Sequence, residues 1–196
     1  MKVLKIILII VVILAAVYVF LPGSSHVERS VMINSQPEKV YTVVNNMHRF
    51  NDWSPWAKID PNTQYEFEGP ESGEGAKMSW TSDHNEVGNG SQWIEKSVPN
   101  KEVVTMLTFD EGDPAKAKFL LEPTDEGTKV TWAFDAELTG FMKIIGLGMD
   151  GFLGPMYEEG LNNLKNLVEN MPDDMETTDE WPEEEWPEEE ENVVEN

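Results

Sequence analysis

The chain opens with a continuous run of apolar residues. Residues 6–21 carry no polar side chain apart from the phenol of Tyr18. Counted from Val3, the run would extend about 28 Å as a helix, close to the roughly 30 Å thickness of a bilayer core. Backbone amides in lipid must bond within their own segment, so we expect one transmembrane helix at residues 3–21, ended by Pro22 and Gly23.

A cleaved secretory signal is the alternative interpretation of this run, because Lys2 and Lys5 form a basic start and small residues follow Gly23. Signal cores usually have about 7 to 15 apolar residues, and no Ala-x-Ala cleavage site follows here. We therefore favour an anchor. Both lysines precede the run and an acidic remainder follows it, which predicts a cytoplasmic N-terminus and a domain on the outer, extracytoplasmic side of the cell membrane.

Apolar and polar residues alternate through most of residues 26–170. The clearest case has Val130, Trp132, Phe134, Ala136 and Leu138 pointing one way and polar residues pointing the other. Shorter segments of the same kind lie at 27–33, 65–68, 76–81, 90–98, 103–109 and 117–121, between turn signals. This alternation predicts an antiparallel sheet with one solvent-facing surface.

Two helices are predicted to accompany this sheet. Pro37 occupies a helix-start position, and Val40, Tyr41 and Val44 after it share one apolar face. An aromatic-rich turn at residues 50–56 ends that helix. After Leu138 the period changes, and an apolar stripe at helical spacing runs to about Asn170. A long helix across the apolar face of the sheet gives an α+β domain.

The C-terminal residues 171–196 form an acidic tail. Residues 172–196 hold 13 acidic residues and no lysine or arginine, which leaves -10 of the formal net charge of -23 for the rest of the chain. Two Trp-Pro-Glu-Glu-Glu repeats begin at Trp181 and Trp186. Charge repulsion and proline predict disorder. The tail is either a solvated spacer or a segment that binds a protein partner or divalent cations.

Composition argues against several classes of function. Nucleic acid is not an expected partner, because no cluster of lysine and arginine could bind phosphates. The chain has no cysteine, hence no disulfide, lipoprotein anchor or thiolate metal site. His26, His48 and His84 are widely separated, and Asp83, His84 and Glu86 are more typical of an exposed turn than of a metal site. We therefore predict no cofactor, no metal and no catalytic residue.

Several motifs follow one another in a specific order across residues 26–170. They are Val-Glu-Arg-Ser-Val-Met-Ile-Asn at 27–34, Pro-Glu at 37–38, Phe-Asn-Asp-Trp-Ser-Pro-Trp at 50–56, Gly-Ala-Lys-Met-Ser-Trp at 75–80, Gly-Thr-Lys-Val-Thr-Trp at 127–132 and Gly-Pro-Met-Tyr-Glu-Glu-Gly-Leu-Asn-Asn-Leu-Lys at 154–165. Together they resemble the polyketide cyclase/dehydrase-like branch of the START-like (SRPBCC) superfamily. The resemblance implies a helix-grip fold, in which a curved antiparallel sheet wraps around a long C-terminal helix and encloses a cavity.

Large apolar side chains expected to face that helix are the candidate ligand-binding residues. They are Trp53, Trp56, Met78, Trp80, Trp93, Phe119, Trp132, Phe134, Phe152 and Met156. We expect Trp53 and Trp56 near the mouth of the cavity, with Arg29 or Lys77 available to orient a carboxylate or headgroup. A cavity lined by tryptophan and methionine with few polar groups suits a lipophilic ligand.

Three functions follow from these observations. The leading hypothesis is a membrane-tethered domain that binds a hydrophobic small molecule or lipid, with its cavity close to the outer leaflet because only residues 22–26 separate the apolar run from the first strand. The second is an enzyme of cyclase, dehydratase or hydrolase type that uses the same cavity. The third is a protein-interaction module that works through the acidic tail. The superfamily hosts many functions, so its fold alone does not choose among them.

Overall fold

The computed structural model describes Lys5, Ile9, residues 18–110 and residues 112–172. None of the helices in these residues is both long enough and apolar enough to cross a membrane. The predicted anchor at residues 3–21 lies mostly outside the described residues, and the acidic tail lies outside them beyond Pro172. Both therefore stay predictions.

One antiparallel sheet dominates the described part of the chain. Its seven strands are β1 (Ser24–Ile33), β2 (Gln64–Glu68), β3 (Lys77–Thr81), β4 (Gly90–Val98), β5 (Glu102–Phe109), β6 (Ala115–Thr124) and β7 (Gly127–Glu137). Their spatial order is β1-β7-β6-β5-β4-β3-β2, so only β1 pairs with a strand distant in sequence. The β4–β5 register shifts between Ile94 and Lys96, and such a bulge helps a sheet to bend.

Four α-helices in the described residues accompany the sheet. They are α1 (Pro37–Val44), α2 (Phe50–Trp53), α3 (Met142–Gly146) and α4 (Met149–Asn170), with a 3₁₀ turn at Pro55–Lys58. The α+β class, the antiparallel sheet and the long C-terminal helix of the helix-grip prediction are thus confirmed. Two local differences appear, because the aromatic segment at 50–56 is mostly helical and a separate short helix, α3, precedes α4.

The core forms where α4 crosses the concave face of the sheet. Tyr157, Leu161, Leu164 and Val168 recur every three or four residues along α4, and each is at most 3% exposed. Helix α1 adds buried valines from the same side as the end of α4. Every buried apolar residue of the described chain lies between positions 27 and 168, so a fragment of residues 22–172 carries the whole core.

Gly160 allows α4 to approach β7 closely. A Cβ atom at this position would lie 2.8 Å from the Trp132 ring and 3.2 Å from Pro55 Cδ. We expect Gly160→Ala to lower the free energy of unfolding by about 1 to 3 kcal/mol, because the buried Trp132 ring cannot move aside without disturbing its neighbours. Chemical denaturation of the 22–172 fragment measures this change.

Gly151→Ala in the same helix is the matched control. A Cβ atom at Gly151 would meet nothing within 4 Å, so alanine should stabilise the fragment by up to about 1 kcal/mol through helix propensity. Equal effects of the two substitutions would contradict the close approach of α4 to Trp132.

Candidate functional site: a cavity between the sheet and the last helix

A cavity of about 490 Å³ lies between the concave face of the sheet and the N-terminal half of α4. This volume falls within the range of roughly 300 to 1,000 Å³ that is typical of small-molecule sites. Strands β3 to β7 supply most of the wall, and the rest comes from residues 50–56, Tyr65, the loops at 86–87 and 112–113, residues 138–142 and the start of α4. The C-terminal half of α4 packs directly on the sheet, so only one half of the helix–sheet interface is hollow.

A stack of aromatic rings separates the packed half from the hollow half. Trp132 on β7 lies between Phe119 on β6, with ring centroids 5.1 Å apart, and Tyr157 on α4, at 3.8 Å with nearly parallel rings. Trp53 meets the edge of this stack, 5.2 Å from Trp132. Burial raises the pKa of Tyr157, which keeps its phenol neutral. The stack forms the inner end of the cavity.

The cavity wall is largely apolar. Its larger apolar residues are Phe50, Trp56, Met78, Trp80, Leu107, Phe109, Trp132, Phe134, Leu138, Met142, Met149, Phe152 and Leu153. Ala115, Ala117 and Ala136 line the same wall on β6 and β7. Because these three side chains are single methyl groups, they leave space that larger residues would fill.

Six of the ten candidate ligand-binding residues line this cavity. They are Trp56, Met78, Trp80, Trp132, Phe134 and Phe152. The alternating strand pattern placed four of these six on the correct face of the sheet. Phe152, from the predicted helical stripe, borders the cavity on α4 and is 59% exposed.

The other four candidates lie elsewhere. Trp53 is 1% exposed in the packed core rather than at the mouth, because α2 turns it inward and Asn163 donates a hydrogen bond to its carbonyl oxygen. Phe119 is equally buried behind Trp132. Trp93 lies between two buried neighbours on β4 and so points to the opposite face. Met156 is half-buried and does not line the cavity, because its neighbour Tyr157 is the residue that faces the sheet at this turn of α4.

Several lining residues were not predicted from the sequence. Gln92 occupies an inward register position on β4, opposite Met78 on β3 and Leu107 on β5. Gln92 is polar and therefore does not contribute to the apolar alternation that predicts inward positions on β4. Ala117, Ala136 and Leu138 belong to the predicted alternating segments but were not among the candidate ligand-binding residues, and residues 139–142 follow the last strand and carry no strand periodicity.

Polar side chains are a minority of the wall and, besides three carboxylates, belong to Asn51, Ser54, Tyr65, Gln92 and Thr139. The Gln92 side chain is 7% exposed and bonds to no described residue, whereas Asn51 Nδ2 contacts Met78 Sδ at 3.8 Å. Glu86, Asp113 and Glu137 are exposed at the mouth. Among the described residues that line the cavity there is no lysine, arginine or histidine, and no two ionisable side chains are buried there together.

Arg29 and Lys77, considered from the sequence as possible ligand-orienting cations, lie outside the cavity. The Arg29 guanidinium crosses Gly154 and binds Asp150 and Glu158 of α4, each at 2.9 Å. Lys77 Nζ lies 2.6 Å from Glu68 Oε2 on the neighbouring strand. Arg29 therefore fastens the first turns of α4 to β1.

The histidines are separated from one another and from the cavity. His26 Nδ1 lies 2.7 Å from Asp135 Oδ1, His48 stacks on Phe67, and His84 lies in an exposed loop. The described residues contain no cluster of three side chains that could hold a metal ion.

A bent antiparallel sheet that encloses an apolar cavity against a C-terminal helix defines the helix-grip class of protein. Residues 24–169 match the profile of the family described as "Polyketide cyclase / dehydrase and lipid transport". The chain belongs to this family. No curated protein sequence matches the chain.

Solved structures share the fold. A protein of unknown function from Staphylococcus aureus, SA2116, is 12% identical with a TM-score of 0.58, covering 74% of this chain and 94% of that one. Protein CV1439 from Chromobacterium violaceum is 15% identical with a TM-score of 0.54, covering 76% and 100%. Ara h 8.0201 is 14% identical with a TM-score of 0.51, covering 74% and 98%. These identities establish similarity of fold alone.

The Arg29 ion pairs predict a pH dependence of stability. The hydrogen bond from Arg29 holds the pKa of Asp150 below its usual range, so the pair stabilises the folded state above the unfolded pKa of about 4. This contribution is lost as the pH falls through the lower folded pKa. Thermal unfolding of wild type and Asp150→Asn should therefore differ at neutral pH and converge in acid. Asp125→Asn, in the β6–β7 turn, is the control, and a constant difference from pH 7 to acid would contradict the assignment.

Proposed function

We propose that this protein binds a hydrophobic small molecule or lipid in the cavity and holds that cavity next to a membrane. The observation that carries the proposal is an apolar space of about 490 Å³ at a place where a helix and a sheet would otherwise pack together. Protein interiors are normally filled to crystal-like density, so such a space is suited to an occupant. Family membership agrees with this reading.

Apolar burial supplies the driving force for binding. A ligand that buried about 400 Å² of apolar surface would gain roughly 10 kcal/mol, from which the entropic cost of association must be subtracted. Met78, Met142 and Met149 in the wall have flexible side chains that adapt to irregular ligand shapes. The difference between these two free energies is large enough for a dissociation constant in the micromolar range or below.

The membrane part of the proposal rests on the surface around the mouth. Residues 139–148, the mouth segment, include α3 and expose Phe141, Met142, Ile144, Ile145 and Leu147. Phe141 is 71% exposed and Leu147 is 65% exposed, and Phe152 of α4 continues the same surface. An exposed apolar patch of this kind marks an interaction site or a membrane-contacting surface.

The apolar run of residues 6–21 ends beside the mouth segment. Tyr18 donates a hydrogen bond to the Gly140 carbonyl oxygen at 3.2 Å, and Lys143 Nζ lies 5.5 Å from the centre of the Tyr18 ring. If the run spans the bilayer, the mouth segment faces the leaflet from which the run emerges. We therefore assign the lipid surface as the partner of this patch, and a ligand would pass directly between bilayer and cavity.

Ligand binding can be tested by filling the cavity. Ala117 lies on β6 within the wall, so Ala117→Leu should weaken binding of the neutral fluorescent compound N-phenyl-1-naphthylamine to the 22–172 fragment by about tenfold. Ala57→Leu makes the same change at a half-exposed position outside the cavity and should bind as wild type does. Fluorescence titration measures both. The proposal would be contradicted if the wild-type fragment did not bind the compound and native mass spectrometry found no co-purifying molecule.

Membrane contact can be tested without the apolar run. We expect the 22–172 fragment to cosediment with phosphatidylcholine vesicles, and the double variant Phe141→Ser/Leu147→Ser to lose most of this binding because two exposed apolar side chains are removed. Phe67→Ser, at an exposed position on β2, is the control and should leave binding unchanged. Self-association of the fragment, or equal binding by all three proteins, would assign the patch to a different occupant.

A further inference from the structure

We propose that the cavity selects neutral amphiphiles: molecules with an apolar body and one uncharged hydroxyl or carbonyl group that bonds to the Gln92 amide. This inference rests on the proposed ligand-binding function and narrows it to a chemical class. It excludes fatty acids and other anions as preferred ligands.

The position of Gln92 is the first observation. On β4 it faces Met78 across one strand pair and Leu107 across the other, and all three line the cavity. An amide carries two donors and an acceptor, yet the Gln92 side chain, 7% exposed, bonds to no described residue, and Ser54 Oγ and Trp132 Nε1 in the same wall also lack a partner among the described residues. Buried polar groups are nearly always hydrogen-bonded, so a polar group of the occupant is its natural partner.

The charges around the cavity are the second observation. The carboxyl groups of its wall belong to Glu86, Asp113 and Glu137, and all three are exposed at the mouth. No cationic side chain of the described residues lines the cavity, because Arg29 and Lys77 are held by acids elsewhere. The site thus offers an entering anion neither a counter-ion inside nor an attractive field at the mouth.

These two observations rank the ligand classes. A carboxylate or phosphate would lose its hydration without gaining a charged partner, which is strongly unfavourable in an apolar space. An alkylammonium would pass the acidic mouth more easily but would find only neutral oxygen atoms inside, such as those of Gln92, Asn51 and Ser54. A neutral hydroxyl loses less hydration free energy on entry than a charged group does. It can also form the hydrogen bond that the Gln92 amide lacks. The expected order of affinity is therefore neutral, then cationic, then anionic.

Three compounds with the same chain test this order. Dodecanol, dodecylamine and dodecanoate would compete with N-phenyl-1-naphthylamine for the 22–172 fragment at about pH 8, where the acid is ionised and the amine is largely protonated. We expect dodecanol to bind about tenfold more tightly than dodecanoate or better. The dodecanoate affinity should rise as the pH falls and its carboxyl becomes neutral, whereas dodecanol serves as the reference for pH effects on the protein.

Gln92→Leu tests the role of the amide. Removing one neutral hydrogen bond should weaken dodecanol binding by about fivefold while leaving the affinity for N-phenyl-1-naphthylamine within about twofold. Gln64→Leu is the same change at an exposed position outside this cavity and should alter neither affinity. An unchanged dodecanol affinity in Gln92→Leu would overturn the assignment of the amide.

The outcomes separate this inference from the proposed function. If the naphthylamine binds and dodecanoate displaces it as well as dodecanol does, selection for neutral ligands is wrong and the proposed function stands. If neither the naphthylamine nor any of the dodecyl compounds binds, the proposed function itself fails.

Discussion

The stacked rings of Phe119, Trp132 and Tyr157 are the contact on which the rest of the domain depends. They join β6, β7 and α4 in one column, and Gly160 leaves the space that lets Trp132 approach the helix. Aromatic rings bury large areas and prefer defined geometries, so the column fixes the distance between helix and sheet. On its packed side, side chains such as Leu161, Leu164 and Val168 fill that distance. On its other side, alanines and loop residues do not, and the cavity results.

This division explains how one chain combines stability with an internal space. The packed half supplies the core, and the hollow half is closed by residues that also meet the surface. Phe152 and Met142 line the cavity and are exposed at the same time. Arg29 compensates for the missing packing by fastening the first turns of α4 to β1 through Asp150 and Glu158. The first turns of α4 are therefore held in place although the cavity beside them is unfilled.

The sequence predicted the fold better than it predicted the site, and the reason is physical. Alternation along β7 depends on the pleat, so it correctly identified the inward faces of Trp132 and Phe134. Whether an inward-facing residue belongs to the packed core or to the cavity wall depends on the side chains that α4 and the loops place opposite it. The sequence pattern does not contain this information, so it could not assign Phe119 and Trp53 to the core. Trp93 was predicted to face the cavity, but its register position on β4 points to the opposite face. Gln92 could not be predicted from hydropathy, because a polar side chain gives no apolar signal for the face it occupies.

The pairing of β1 with β7 carries a consequence for how the domain forms. Ser24 pairs with Glu137, and Arg29 reaches α4 farther along the chain, so the first strand has no partner until nearly the whole domain has been synthesised. Contacts so distant in sequence slow folding, because a long loop must close before they form. Strand β1 is therefore the last strand to pair, and the cavity forms only after α4 packs on the sheet.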